Sequence, residues 1–352
     1  MSTAQAPRTA RRHLAGIAGA LVSVASLVGI VWWASKQEAP EIPTDGPHLL
    51  ALLGAVLLYF VACAVRGERW QILLLENGAR PHRADTYALI AVGYLGNNVL
   101  PARAGDVLRV ALLTPRARTD TRTVVGTLVA ERLCDVLVLG LLFLALAYGA
   151  LSGAGTDVLG DRAGTAAIIL GALAVLGVAI AALLHVRGHL RRVVEFVRPM
   201  LAATANLRGR HGAEVIALTV AVWALEGLVW WLTSVAAGLG LGLVGAFYVL
   251  ALASMLVMIP SGPGYAGTMD TAVLIGAKAL DESSKAALSY LILLRFVLMV
   301  PITVAGLIVG AIRYGGVHKV LGARTAAPEP APVAAGQPDE PSEPSPAAAA
   351  AR

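Results

Sequence analysis

Charge is what this sequence has least of. Only 14% of its 352 residues are Asp, Glu, Lys or Arg, against about a quarter in soluble globular domains, which excludes an ordinary water-soluble fold. Cysteine is almost absent. Cys63 and Cys134 both lie within apolar runs, leaving no disulfide framework and no metal-ligand spacing. Nucleotide-binding glycine loops and nucleophile–base spacings are also missing. The sequence therefore implies no cofactor, no metal and no catalytic residue. What it has in excess is apolar side chains, 57% of the chain with a mean hydropathy of +0.72. Apolar stretches recur almost to residue 312, which a single signal peptide or anchor cannot supply. The expected fold class is all-α, a polytopic integral membrane helical bundle.

The formal charge of +6 hides a split. Residues 325–352 carry Glu329, Asp339, Glu340 and Glu343 against Arg352, so the rest of the chain holds +9. That excess falls in short loops between apolar runs, where it sets membrane orientation rather than binding nucleic acid. Full spans are expected at 14–34, 48–65, 124–150, 163–185, 213–237 and 284–312, each near or above the roughly 20 residues a bilayer requires. With the N-terminus inside, the inner segments hold 19 Lys and Arg and the outer loops only Lys36, Arg162, Lys278 and Lys285, so both termini face the cytoplasm. The layout is a basic arm over 1–13, a transmembrane domain over 14–312 and a cytoplasmic tail over 313–352. From about residue 325 the tail is rich in Pro, Ala and acid and reads as disordered. Segments 66–76 and 191–201 read as interfacial pieces on the inner leaflet.

Two further apolar stretches, 86–113 and 243–280, are broken near the middle by Pro and Gly. The first reads GYLGNNVLPARAGDVLRVALL and places Asn97, Asn98, Arg103, Asp106 and Arg109 among apolar residues. At roughly 2.5–3.5 kcal/mol for each charge near mid-bilayer, such side chains must be paired, hydrated or facing a cavity. Pro101 suits the first turn of a returning helix, whose N–H groups would then attract an anion beside Arg103. The alternative is that Asn97 and Asn98 only turn the chain while Arg103 and Asp106 satisfy each other. The second break, MLVMIPSGPGYAGTMD, gathers Pro260, Gly262, Pro263, Gly264, Gly267 and Thr268. Exposed backbone of this kind survives in hydrocarbon only where it lines a cavity or is buried in protein. The two breaks align as Val-Leu-Pro-x-x-x-Gly over 99–105 and Met-Ile-Pro-x-x-x-Gly over 258–264. By the charge count they open from opposite sides, as re-entrant hairpins of an inverted repeat would.

Other spans carry buried charges. Glu131, Arg132 and Asp135 fall within about 100° on one helix face and are expected to close against Arg103 and Arg109. Glu226, Asp270 and Arg295 serve either coupling or interhelical salt bridges.

The motifs NNVLPARAGDVLR, ERLCD and IPSGPGYAGT, in that order, resemble the lysylphosphatidylglycerol synthetase-type transmembrane family, with the likeness covering most of residues 14–312. The resemblance implies a flippase-like protein and lays the family pattern on Asn97, Asn98, Pro101, Arg103, Gly105, Arg109, Glu131, Arg132, Asp135, Pro260, Pro263, Gly264 and Gly267. Asp106 stands where Glu is expected. No aminoacyl-transfer domain follows, so a stand-alone member is implied. The expected function is translocation across the plasma membrane of a phosphate-bearing lipid, such as a glycolipid, a polyprenyl-phosphate carrier or a modified phospholipid. The alternative is a non-catalytic accessory subunit for a glycosyltransferase or lipid-modifying enzyme.

Overall fold

The computed structural model describes residues 45–100, 104–151, 209–257 and 263–316. The expected spans 14–34 and 163–185, the piece 191–201, the tail, and Pro101, Arg103, Pro260 and Gly262 lie outside the described residues. Within them the chain forms eight α-helices and no strand. These are α1 (Gly46–Glu76), α2 (Arg83–Val99), α3 (Ala104–Leu113), α4 (Thr121–Leu151), α5 (Gly209–Ala236), α6 (Leu243–Leu256), α7 (Thr268–Ala279) and α8 (Ser284–Tyr314). By length and composition α1, α5 and α8 can each cross a membrane.

Local chemistry sets the helix ends. Pro47 sits in the first turn of α1, where its missing N–H costs nothing. The chain turns after Asn77 at Gly78, whose φ of 79° suits a residue without a Cβ. Asp120 accepts a hydrogen bond from the Thr123 N–H at 3.0 Å at the start of α4. Ser283 likewise accepts from Ala286 N–H at 3.2 Å ahead of α8, which ends on left-handed Gly315.

One expectation is corrected here. Residues 66–76 are not a separate interfacial piece, because α1 runs unbroken from Gly46 to Glu76 and buries Arg69, Trp70, Leu73 and Leu74. At about 1.5 Å per residue, its 31 residues outrun a hydrocarbon core of about 30 Å. Arg66 and Arg69 are thus helix residues rather than loop charges.

Helix order repeats along the chain. A long helix, a broken hairpin and a long helix occur as α1, α2–α3, α4 and again as α5, α6–α7, α8. Each set has its own apolar core. The first gathers Tyr59, Trp70, Leu89, Val92, Leu108 and Val124, joined by Val297 and Ile302 from α8. The second gathers Trp230, Val249, Leu250, Met269, Val273 and Leu294. Helices α1 and α5 pack along each other to join the sets.

Glycine makes the first hairpin close. A Cβ on Gly105 would collide with the Gly93 carbonyl, and one on Gly96 would lie 2.6 Å from the Gly105 Cα. Backbone therefore meets backbone across α2 and α3. The second hairpin turns through a short 3₁₀ segment, Pro263–Tyr265, with φ of 61° at Gly264, 56° at Tyr265 and 90° at Gly267. Positive φ at an aromatic residue is strained backbone. The two breaks also meet, since a Cβ on Gly264 would lie 3.7 Å from the Asn98 carbonyl oxygen.

Candidate functional site

Where the breaks meet, charged side chains from four helices converge. Arg109 on α3 donates to Glu131 on α4 at 3.0 Å and lies 3.6 Å from Asp106. Its guanidinium also stacks on the Trp70 ring, 4.0 Å from the centroid. Arg69 on α1 donates to Asp135 at 2.6 Å, reaches Glu131 at 3.5 Å and donates to the Thr219 hydroxyl on α5 at 3.1 Å. Trp223 adds an indole N–H to Asp135 at 3.2 Å. Arg66 pairs with Glu226 on α5 at 2.7 Å. Arg132 differs from the others. Its side chain is 49% exposed and is shared among Asp135, Glu131 and Asp106 at 3.4, 3.5 and 3.7 Å.

This network is electrically balanced among the described residues. Four arginines, 66, 69, 109 and 132, face four carboxylates, 106, 131, 135 and 226. Buried charges repay their desolvation only when every one is met. Arg69, Arg109 and Glu131 are almost fully enclosed, and each is met.

Hydrogen bonds tie down the breaks themselves. Asn97 accepts from the Gly105 N–H at 2.9 Å, bridging α2 to the start of α3, and Asn98 donates to Thr303 on α8 at 2.9 Å. Across the second break Asp270 accepts from the Gly267 N–H at 2.9 Å and from Arg295 Nε at 2.6 Å. Thr268 donates to the Tyr265 carbonyl at 3.3 Å. Helix α8 therefore holds both breaks, the second through Arg295 and the first through Thr303.

Above this network lies a cavity of about 360 Å³ between the two helix sets. Arg66, Tyr94, Arg132 and Tyr265 separate it from a smaller space of about 70 Å³ that reaches Asn97, Asp106, Arg109 and Glu131. The larger cavity is lined by the aromatic rings of Tyr59, Trp223 and Trp230 together with the carboxylates Asp135 and Glu226, with Trp223 directly against Asp135.

Residues 16–306 match the family described as Lysylphosphatidylglycerol synthase TM region. The chain belongs to that family. It is also similar to a protein called Glycosyltransferase AglD from Haloferax volcanii, 28% identical over 326 residues, covering 80% of this chain and 51% of the relative. The chain thus spans about half the length of that curated relative. No solved structure matches it significantly. Of the positions on which the resemblance laid the lysylphosphatidylglycerol synthase pattern, Asn97, Asn98, Gly105, Arg109, Glu131, Arg132, Asp135, Gly264 and Gly267 fall within the described residues and lie in or beside the meeting breaks.

Sequence reasoning expected the 131–135 stripe to close against Arg103 and Arg109; Glu131 meets Arg109, and Arg103 lies outside the described residues. It did not anticipate Arg66 and Arg69. Both were counted as inner-loop cations, yet both are held by carboxylates inside the bundle. Their signal was present, since they stand three residues apart on the same face of an apolar run. Trp223, Trp230 and Tyr59 carried no motif, because an aromatic residue in an apolar span looks the same whether it faces lipid or a ligand. Glu226 and Arg295 have structural partners, as one of the two readings required.

Proposed function

We propose that this protein is a flippase-like transporter that moves a phosphate-bearing lipid between leaflets of the plasma membrane, with both termini cytoplasmic. The observation that carries this reading is the cavity between the two helix sets, in contact with both chain breaks and lined by charge in an otherwise apolar bundle. A lipid head group crossing a bilayer needs a polar, enclosed path for the head while its acyl or prenyl tail stays in hydrocarbon. The repeated helix order supports two sets related as an inverted repeat, rocking about a site between them. In this reading the phosphate meets Arg132, whose half-exposed guanidinium can turn from its three distant carboxylates. Arg103, outside the described residues, is the second cation this reading assigns to the phosphate. Asn98 and the Gly264–Gly267 backbone approach from either side, while Glu131 and Asp135 orient the arginines.

Vesicles reconstituted with the full chain test it. Labelled phosphate-bearing lipid should change leaflets, and Arg132→Ala should slow this by at least about tenfold, the loss of one charge-assisted hydrogen bond of about 1.5–3 kcal/mol. A wild-type protein that moves none of the lipids offered, or an Arg132→Ala variant at full rate, refutes it. The second reading, a membrane subunit serving a glycosyltransferase, is favoured by the name of the Haloferax volcanii relative, which is about twice as long as the matched part. That reading predicts a rate in vesicles equal to protein-free controls.

A further inference from the structure

The charge balance of the cavity bears on which head group enters it, a point that rests on the transport reading but goes past it. Two arginines, Arg66 and Arg132, and two carboxylates, Asp135 and Glu226, line the space among the described residues. Neither carboxylate is short of a cation. Arg66 meets Glu226 at 2.7 Å and Arg69 meets Asp135 at 2.6 Å, with the Trp223 N–H adding a third contact. An ammonium group arriving here would meet carboxylates whose charge is already cancelled by guanidinium groups, so a cationic, aminoacylated head group finds no uncompensated anion. A bare phosphate uses Arg132 but leaves the aromatic lining of the cavity unfilled.

An uncharged polyol meets every term. Its hydroxyls donate to the remaining lone pairs of carboxylates whose charge is already met, Glu226 above all, which pairs with Arg66, because a carboxylate offers about four acceptor positions. The same hydroxyls accept from Tyr94 without changing the charge of the site. The C–H face of a pyranose ring covers tyrosine and tryptophan surface, which is amphipathic in the same sense. Size narrows the choice further. A cavity of about 360 Å³ is at the small end of the range for ligand sites, about 300–1,000 Å³, which suits one ring and one phosphate rather than an oligosaccharide.

We infer that the cavity takes the head of a monoglycosyl lipid phosphate, with the sugar ring against Tyr59, Tyr94 and Trp223 and the phosphate on Arg132. This departs from the aminoacylated lipid in the family's name.

Binding decides it separately from transport. The purified full chain in mild detergent is titrated with three probes, citronellyl phosphate carrying one hexose, citronellyl phosphate alone, and dioctanoyl lysylphosphatidylglycerol, and heat or tryptophan fluorescence is followed. The hexosyl phosphate should bind at least about tenfold more tightly than either of the others. Trp223→Leu, checked for an unchanged melting profile, should shrink the ratio of hexosyl phosphate to citronellyl phosphate affinity. The inference is overturned if the sugar-free phosphate binds as well, if the lysyl lipid binds better, or if none of the three binds. A chain that prefers the hexosyl phosphate yet moves no lipid in vesicles leaves this inference standing and removes the transport reading. Lipid movement without sugar preference does the reverse.

Discussion

Arg69 is the most exacting place to test the balanced network. Its side chain is 1% exposed, donates to Asp135 at 2.6 Å and Thr219 at 3.1 Å, and lies 3.5 Å from Glu131. Arg69→Met keeps most of the aliphatic stem and removes the charge, leaving Asp135 enclosed with only the more distant Arg132 and the Trp223 N–H. Breaking a buried pair by removing one partner costs about 3–5 kcal/mol, and the surviving partners put this variant near the lower figure, about 3. At roughly 2 °C per kcal/mol for a large domain, the melting temperature of the full chain in detergent should fall by about 6 °C. Arg80→Met, at an exposed position, is the control and should stay within about 1 °C. Replacing both partners, Arg69→Met with Asp135→Leu, should recover part of the loss, because no uncompensated charge remains. Equal melting of Arg69→Met and Arg80→Met, or a double variant that is worse than the sum of its singles, would refute the claim that charge compensation holds these helices together.

Gly105→Val drives a branched side chain into the α2 backbone at Gly93 and should cost at least the roughly 1–3 kcal/mol typical of overpacking, seen as lost monodispersity or a lower melting temperature, whereas Gly46→Ala meets nothing and should be silent. Asp120→Ala removes the cap of α4 and should cost about 1 kcal/mol at neutral pH. The Thr123 hydrogen bonds hold the Asp120 carboxyl below the usual carboxylate range, so this contribution is full above the unfolded pKa of about 3.9 and fades as pH falls through the lower folded value. The melting difference between wild type and Asp120→Ala should therefore persist to about pH 4 and close below it, and a difference that grows on acidification would contradict the assignment.

Legibility varied with the kind of signal. Both broken hairpins could be read from sequence, because Pro and Gly clustered inside apolar runs have few structural uses, and the structure gives helix, break and helix in each place. Charge in an apolar stretch also announced itself at Glu131, Arg132, Asp135 and Glu226. Residues 66–76 misled because arginine density looks the same in a cytoplasmic loop and at the buried end of an overlong helix. What separates them is whether carboxylates wait on neighbouring helices, and Glu226 and Asp135 lie far along the chain from Arg66 and Arg69. The charge balance among the described residues of the site was hidden for the same reason. Counting only Arg103 and Arg109 suggests an electropositive pocket, while the partners that cancel Arg109 come from α4 and become neighbours only on folding.

The pairing pattern also says where the two helix sets can part. Most of the network stays inside the first set, joining α1, α3 and α4, so those helices move as a body or not at all. At the cavity the ion pair between the sets among the described residues is Arg66–Glu226. At one end of the bundle two more contacts cross, His211 to Glu76 at 3.0 Å and Arg313 to Asp85 at 3.0 Å, and Arg116 covers the Tyr314 ring nearby. These residues sit at the end of α1, the start of α2 and α5 and the end of α8, so they tie the two sets together at the same end. Exposed pairs are worth at most about 1 kcal/mol each, which suits a closure that must reopen. Joining Glu76→Cys to His211→Cys with a short bifunctional thiol reagent should then stop lipid movement in vesicles, and cleaving the linker should restore it, with Cys63→Ser and Cys134→Ser as background since both native thiols are buried. Movement at the uncrosslinked rate with the linker in place would mean that this end does not open, and that lipid passes without the two sets separating there.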